Sequence, residues 1–172
     1  MLDLLRKWKR QIVGETHVEP HVAHEALYRP VQGRTVDITE VPDPVFAQKI
    51  MGDGFAVLPD EGVFRAPVAG ELVLVAETMH AFAIRTDAGA EVLVHIGIDT
   101  VGLKGEGFTA HAQAGRWVQA GEPIISCDLR SQEAKVPSMI TPVVVTNGDR
   151  FTMTGRNLSA ANDGAVAVIV SN

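Results

Sequence analysis

The chain has a single cysteine, Cys127, in 172 residues, which excludes an internal disulfide and fits a reducing compartment. It has no apolar run of the roughly 18 residues needed to cross a bilayer, and no signal-peptide pattern. Both absences point to a cytosolic protein. There is no excess of basic charge: the formal net charge is −6, which argues against general nucleic-acid binding and suits a partner with a basic face. No P-loop and no dinucleotide fingerprint occurs, so nothing calls for a nucleotide cofactor. Long charged runs are scarce, and a mean hydropathy of +0.12 describes a globular chain of a size that fits one domain.

Glycine and proline, by contrast, are plentiful. Sixteen glycines and nine prolines favour many short strands over long helices. From Tyr28 onward, short apolar runs alternate with turn residues, the pattern of an all-β fold. Arg29–Ile38 and Ala66–Val75 share Pro-Val-x-Gly followed by alternating residues, which suggests an internal duplication of one turn-plus-strand unit. Arg116–Ile124 carries a related Val-x-x-Gly turn. The expected architecture is an antiparallel β-sandwich of two similar halves, with late strands at Thr141–Thr146 and Ala165–Val170 and one helical turn at Ser131–Val136.

The N-terminal end differs. Leu2, Leu5, Trp8 and Ile12 follow helical spacing, with Arg6, Lys7, Lys9 and Arg10 between them and Asp3 the one acid among residues 1–13. A short basic amphipathic helix with a tryptophan reads as an anchor for an anionic membrane surface. Residues 14–27 read as a linker, in which His17, His21 and His24 could bind a metal but form more simply a solvated connector. The domain proper is expected over residues 28–172.

Chemistry concentrates between Thr78 and Gly107. His80 and His95 lie on either side of a turn signal, Asp87–Ala90, with apolar residues flanking both, as expected of a hairpin. A loop of two or four residues keeps both imidazoles on one face, whereas a loop of three puts them on opposite faces. Thr78, two residues before His80, shares its face. A lone histidine on an apolar strand is usually structural. Two on one face are different, because close imidazoles disfavour double protonation and leave a neutral, nucleophilic ring nitrogen near pH 7.

Three segments carry a family resemblance: Val94–Phe108 (Val-His-Ile-Gly-Ile-Asp-Thr-Val-Gly-Leu-Lys-Gly-Glu-Gly-Phe), Glu77–Phe82 (Glu-Thr-Met-His-Ala-Phe) and Val41–Gly54 (Val-Pro-Asp-Pro-Val-Phe-Ala-Gln-Lys-Ile-Met-Gly-Asp-Gly). In order and spacing they resemble the glucose-family IIA component of the bacterial phosphoenolpyruvate:sugar phosphotransferase system, from about Tyr28 to Val170. The resemblance implies the duplicated β-sandwich (a duplicated hybrid motif), and a phosphocarrier that takes a phosphoryl group from the carrier HPr on His95 and passes it to a cysteine of a sugar-specific IIB domain. His80 is implied to support it by donating a hydrogen bond to the phosphoryl oxygens, with Thr78 accepting from the other side of its ring. Asp43 and Asp99 match acidic rim positions where a partner's basic residue docks. Val45, Phe46, Ile50, Phe82 and Ile96 would form an apolar docking ring that excludes water. Gly97 would leave the His95 ring uncrowded. Ala76 and Ile96 depart from the family, which often has larger aromatics there.

Other readings are weaker. A zinc hydrolase on a related sandwich needs a third protein ligand, and neither a His-x-His nor a well-placed Asp near His80 supplies one. A biotinyl- or lipoyl-type carrier needs a lysine at a recognisable hairpin tip, which Lys104 does not provide. No metal and no cofactor is expected, and His111 and Cys127 read as structural. Binding of further proteins according to phosphorylation state is compatible with the phosphocarrier reading, but no residue identifies such a partner.

If residues 1–13 form an interfacial anchor, the chain should bind anionic vesicles, each Lys or Arg contributing about 1 kcal/mol near the surface, and release at high salt. Equal partitioning of the full chain and a variant lacking those residues would exclude the anchor.

Overall fold

The computed structural model describes residues 24–161 and 163–172. The expected helix at 1–13 and most of the linker lie outside them. Among the described residues the fold is mostly β, with antiparallel sheets and a few one-turn helices. In chain order the strands are β1 (His24–Leu27), β2 (Gly33–Asp37), β3 (Asp53–Pro59), β4 (Val63–Arg65), β5 (Gly70–Val75), β6 (Ala81–Arg85) and β7 (Glu91–His95). Then follow β8 (Phe108–Ala110), β9 (Trp117–Val118), β10 (Pro123–Cys127), β11 (Thr141–Val145), β12 (Phe151–Thr154) and β13 (Ala167–Ser171). A seven-stranded sheet runs in the order β2-β3-β11-β7-β6-β5-β9, and two three-stranded sheets in the orders β1-β13-β12 and β4-β10-β8.

The main core draws on all three sheets: Phe55, Phe64, Leu72, Phe82, Ile84, Val94, Ile125 and Ile169 are fully buried in one cluster. A smaller cluster of Val36, Ile38, Val41, Phe46, Ala56, Ile98, Ile140 and Val144 is separate from it. β11 shows how the two relate. Val143 and Val145 belong to the main core and Val144 to the smaller one, because successive side chains of a strand point to opposite faces. The large sheet is therefore covered on both faces at β11, which is why this strand reads as a continuous apolar run.

The two Pro-Val-x-Gly segments meet through reciprocal bonds. Tyr28 N donates to the Pro67 carbonyl at 2.8 Å, and Arg65 N to the Pro30 carbonyl at 2.6 Å; each donor stands two residues before the proline of its own copy. Each segment's glycine then opens a strand against a neighbouring carbonyl. A Cβ at Gly33 would lie 2.0 Å from Leu58 O, and one at Gly70 2.3 Å from Arg85 O, so neither position admits a side chain.

Two local expectations are corrected. Residues 24–27, expected as linker, form β1, which pairs with β13 in register from His24–Val170 to Leu27–Ala167. Leu27 is the one side chain of the four that is buried, so the strand is held largely by its backbone and leaves little apolar pattern to read. The helical turn expected at Ser131–Val136 spans Leu129–Glu133, because Asp128 accepts from Ser131 N at 3.2 Å and sets the start.

Candidate functional site

The hairpin β6–β7 has the register that alternation alone would disfavour for the site. Ala81, not His80, stands opposite His95, and the loop is the three-residue one. Thr86 N bonds to Ala90 O around Asp87, Ala88 and Gly89, with Gly89 at φ 95°. Strict alternation would then put His80 on the face of Phe82 and Ile84, inside the main core. The two rings nevertheless stand 5.2 Å apart between centroids, edge to face at 72°. The reason is that His80 lies in a bend before β6, outside the ladder, after Met79 at φ 53°. Its carbonyl still accepts from Ile96 N at 2.7 Å, so the bend stays tied to the end of β7. A positive φ at methionine is a strained conformation of the kind found at functional sites.

Each ring is oriented by one hydrogen bond. His95 Nδ1 lies 2.8 Å from the Gly97 carbonyl. A carbonyl only accepts, so Nδ1 carries the proton, and in the neutral ring Nε2 keeps its lone pair. Gly97 has φ 70°, and a Cβ there would meet Thr100 Cγ2 at 2.6 Å. This glycine is thus required for the turn that aims its carbonyl at His95, rather than for room beside the ring. His80 Nδ1 lies 2.6 Å from Thr78 Oγ1. If neutral His80 is to present an N–H at Nε2, its Nδ1 must accept, so Thr78 donates. That reverses the direction expected from the sequence.

Burial pulls His95 below its ordinary value of 6.5; the Gly97 bond opposes this, a charge on His80 would lower it further, and Asp43 and Asp99 raise it. Burial also lowers His80. Neutral imidazoles are therefore favoured at both positions near pH 7.

Of the other expected residues, Phe46 packs against His95 with centroids 5.2 Å apart; it is buried in the smaller core and so backs that ring instead of joining the exposed docking surface expected of it. Asp43 begins the one-turn helix Pro44–Ala47, its Oδ1 accepting from Val45 N at 2.9 Å. Asp99 is exposed, with φ 60° and no side-chain capping bond, and aspartate tolerates that left-handed conformation better than most residues. Val45 and Ile50 are exposed, at 39% and 68%. Phe82 and Ile96 are not: both are 0% exposed, within the main core, and cannot belong to a docking ring. Phe82 pairs with Val94 on the core face, and Ile96 falls on the opposite side to His95. Met51 and Val101, at 38% and 52% exposed, are apolar surface that sequence reasoning missed, although Met51 adjoins Ile50 and Val101 stands two residues after Asp99. Among the described residues, no group of three or more His, Cys, Asp or Glu could hold a metal ion, so the third ligand that a zinc hydrolase needs is not found there.

Residues 25–151 match the family model described as the phosphoenolpyruvate-dependent sugar phosphotransferase system, EIIA 1. The chain belongs to that family. This EIIA chain is 53% identical over 129 residues to the glucose-specific EIIA component of the phosphotransferase system of Halalkalibacterium halodurans, covering 75% of each. It is 48% identical over 125 residues to the corresponding protein of Bacillus cereus, covering 73% of this chain and 76% of that one. In the β-glucoside-specific EIIBCA component of Bacillus subtilis, 43% identity over 130 residues covers 76% of this chain but 21% of the longer protein. Among solved structures, the glucose permease IIA from Mycoplasma capricolum matches with a TM-score of 0.80 at 38% identity, covering 85% of this chain and 96% of that one. The EIIA chain is a phosphocarrier component of the sugar phosphotransferase relay. Among its described residues, no helix is long and apolar enough to cross a membrane.

Two outcomes follow for this EIIA chain. Nitrogen NMR of the imidazoles should find the proton of His95 on Nδ1 and that of His80 on Nε2, both rings titrating below 6.5. Because the folded values lie below the unfolded ones, the unfolded chain binds more protons in acid. The stability contributed by neutral rings is complete above 6.5 and is lost as pH falls through the folded values, a slope that His95→Gln should reduce. Phe82→Ala should cost about 3–5 kcal/mol in denaturant melts as a core truncation, whereas Ile50→Ala should stay within about 0.5 kcal/mol; comparable losses would put Phe82 back on the surface.

Proposed function

We propose that His95 is the phosphoacceptor of this carrier, and the observation that carries the reading is the bond from its Nδ1 to the Gly97 carbonyl. With the proton held there, the Nε2 lone pair attacks phosphorus in line. The new Nε2–P bond forms as the N–P bond of the HPr phosphohistidine breaks, and the electron pair of that bond returns to the donor ring. The phosphorylated His95 ring keeps its Nδ1 proton and becomes cationic, a state that the Gly97 carbonyl stabilises. His80, receiving a hydrogen bond from Thr78, donates from Nε2 to the equatorial oxygens, where charge stabilisation and positioning account for most of such catalysis. Transfer to a IIB cysteine repeats the displacement with a thiolate as nucleophile and His95 as leaving group.

Asp43 and Asp99 serve as rim carboxylates for the donor's basic residues, and Val45 and Ile50, with Met51 and Val101, as the apolar surface around them. Phe46, tilted at 56° to the His95 ring, supports that ring from the smaller core. The reciprocal bonds of Tyr28 and Arg65 support the finer fold reading, a β-sandwich of two copies of one unit. Because the similar proteins include glucose-specific EIIA components, the IIB domain of a glucose permease is the acceptor to test first. A cytoplasmic position at the membrane, held by residues 1–13, is part of the same proposal.

Incubation with phosphoenolpyruvate, enzyme I and HPr should give one acid-labile phosphoryl group on the peptide containing His95, and none in His95→Ala. His80→Ala should still accept phosphate, about a hundredfold more slowly, as for loss of one preorganised donor. His80→Gln should be milder, because an amide still donates from a nearby position. Phosphate on His80, or accumulation in His95→Ala, would reverse the assignment.

Replacing both Asp43 and Asp99 with Asn should slow phosphorylation by HPr, with a larger loss at low salt than at high salt, since screening already weakens the attraction at high salt. An unchanged low-salt rate would make these carboxylates bystanders.

A further inference from the structure

Gln132 is fully buried, yet among the described residues its Oε1 has no hydrogen-bond partner. Its Nε2 donates to the Glu106 carbonyl at 3.2 Å. The next residue, Gly107, is shaped around it: with φ 80°, a Cβ there would fall 2.0 Å from Gln132 Nε2. A second tie reaches the same point from the surface, Lys135 Nζ to Glu106 Oε1 at 3.1 Å. The segment so held is the loop from Asp99 to Gly107. Its inner bonds are Gly102 N to Asp99 O, Lys104 N to Val101 O and Glu106 N to Leu103 O. Thr100–Leu103 forms a single 3-10 turn, and the residues that flank it (Asp99, Lys104, Gly105 and Gly107) have positive φ, so neither a strand ladder nor a continuous helix holds the segment. At Gly105 the loop backs onto the turn that delivers His80: a Cβ there would lie 3.2 Å from Met79 Cε and 3.8 Å from the Thr78 backbone.

We infer that Gln132 is a positioning residue for phosphoryl transfer, bracing from inside the loop that presents Asp99 and Val101 to the donor and backs Thr78. A buried amide with an unmet acceptor is a poor choice for stability alone, because an apolar side chain of similar volume would leave no polar atom unsatisfied. The inference rests on the phosphocarrier reading above. It also adds a requirement that neither imidazole supplies: the acidic rim must be held at a fixed place relative to His95.

The test is Gln132→Leu in the full chain, with phospho-HPr as donor. The variant should melt at or above the parent temperature, while its KM for phospho-HPr rises roughly fivefold to tenfold and kcat changes little. The amide resonances of residues 99–107 should shift, and the His95 Nδ1–H signal should not. Should Gln132→Leu melt lower, Lys135→Ala decides, because that exposed tie can be removed without touching the core; it should raise KM in the same direction by a smaller factor. Unchanged KM in Gln132→Leu at parental stability, or in Lys135→Ala, overturns the brace. A parent chain that accepts no phosphate refutes the functional reading itself, whereas an active parent with unaltered variants refutes only this inference.

Discussion

The hydrogen bond between His95 Nδ1 and the Gly97 carbonyl is the constraint on which the rest of the site depends. It requires β7 to end at His95 and the chain to turn at once through a residue with φ 70°, in a space that a Cβ would find filled by Thr100. Thr100 is itself fully buried, its hydroxyl donating to the Ile96 carbonyl. Ile98 continues from the turn into a bridge with Ser138. The turn is thereby tied to the core on both sides, and a neutral His95 has one tautomer compatible with it. A free histidine divides its proton between two nitrogens, whereas here a carbonyl that can only accept makes the choice.

The two cores explain how an imidazole can be partly desolvated without being enclosed. Val92 and Val94 of β7 enter the main cluster, while Leu93 packs against the smaller one, to which Phe46 also belongs. His95 follows Leu93 in the alternation and meets Phe46 at the margin of that smaller core. Burial favours the neutral ring, while Asp43 and Asp99 pull the other way. The balance favours a neutral ring near pH 7 while two carboxylates remain close enough to favour a cationic one, as the proposed phosphoacceptor role requires.

Much of this was legible in the residues. The two histidines, the threonine beside His80 and the strand-rich plan could all be found from motif spacing and from glycine and proline punctuation. Four things could not. A loop of three residues rather than two or four reverses the face of every residue on one strand, and only the bend at Met79 restores His80 to the side of His95. The direction of the Thr78 bond depends on which nitrogen must be free. Phe82 and Ile96 have the same composition as docking residues and differ only in the side of the sheet they occupy. The Gln132 amide looked like part of a polar helical turn, and its burial appears only when that turn packs on the Glu106–Gly107 segment.

By itself, then, the sequence determined the family, the all-β class and the identity of the paired imidazoles, because these follow from residue type and short-range spacing, which survive any change of packing. Tertiary structure alone decided which imidazole nitrogen carries the proton, which apolar residues face solvent and which buried amide holds the loop. The first rests on a bond only two residues long, His95 to Gly97, in a turn that the Ile98–Ser138 bridge holds in place; the other two arise from contacts between segments far apart in the chain, such as Gln132 with Glu106 and Phe46 with His95. No local pattern encodes such contacts, because each requires the two segments to be brought together by the packing of the sheets between them.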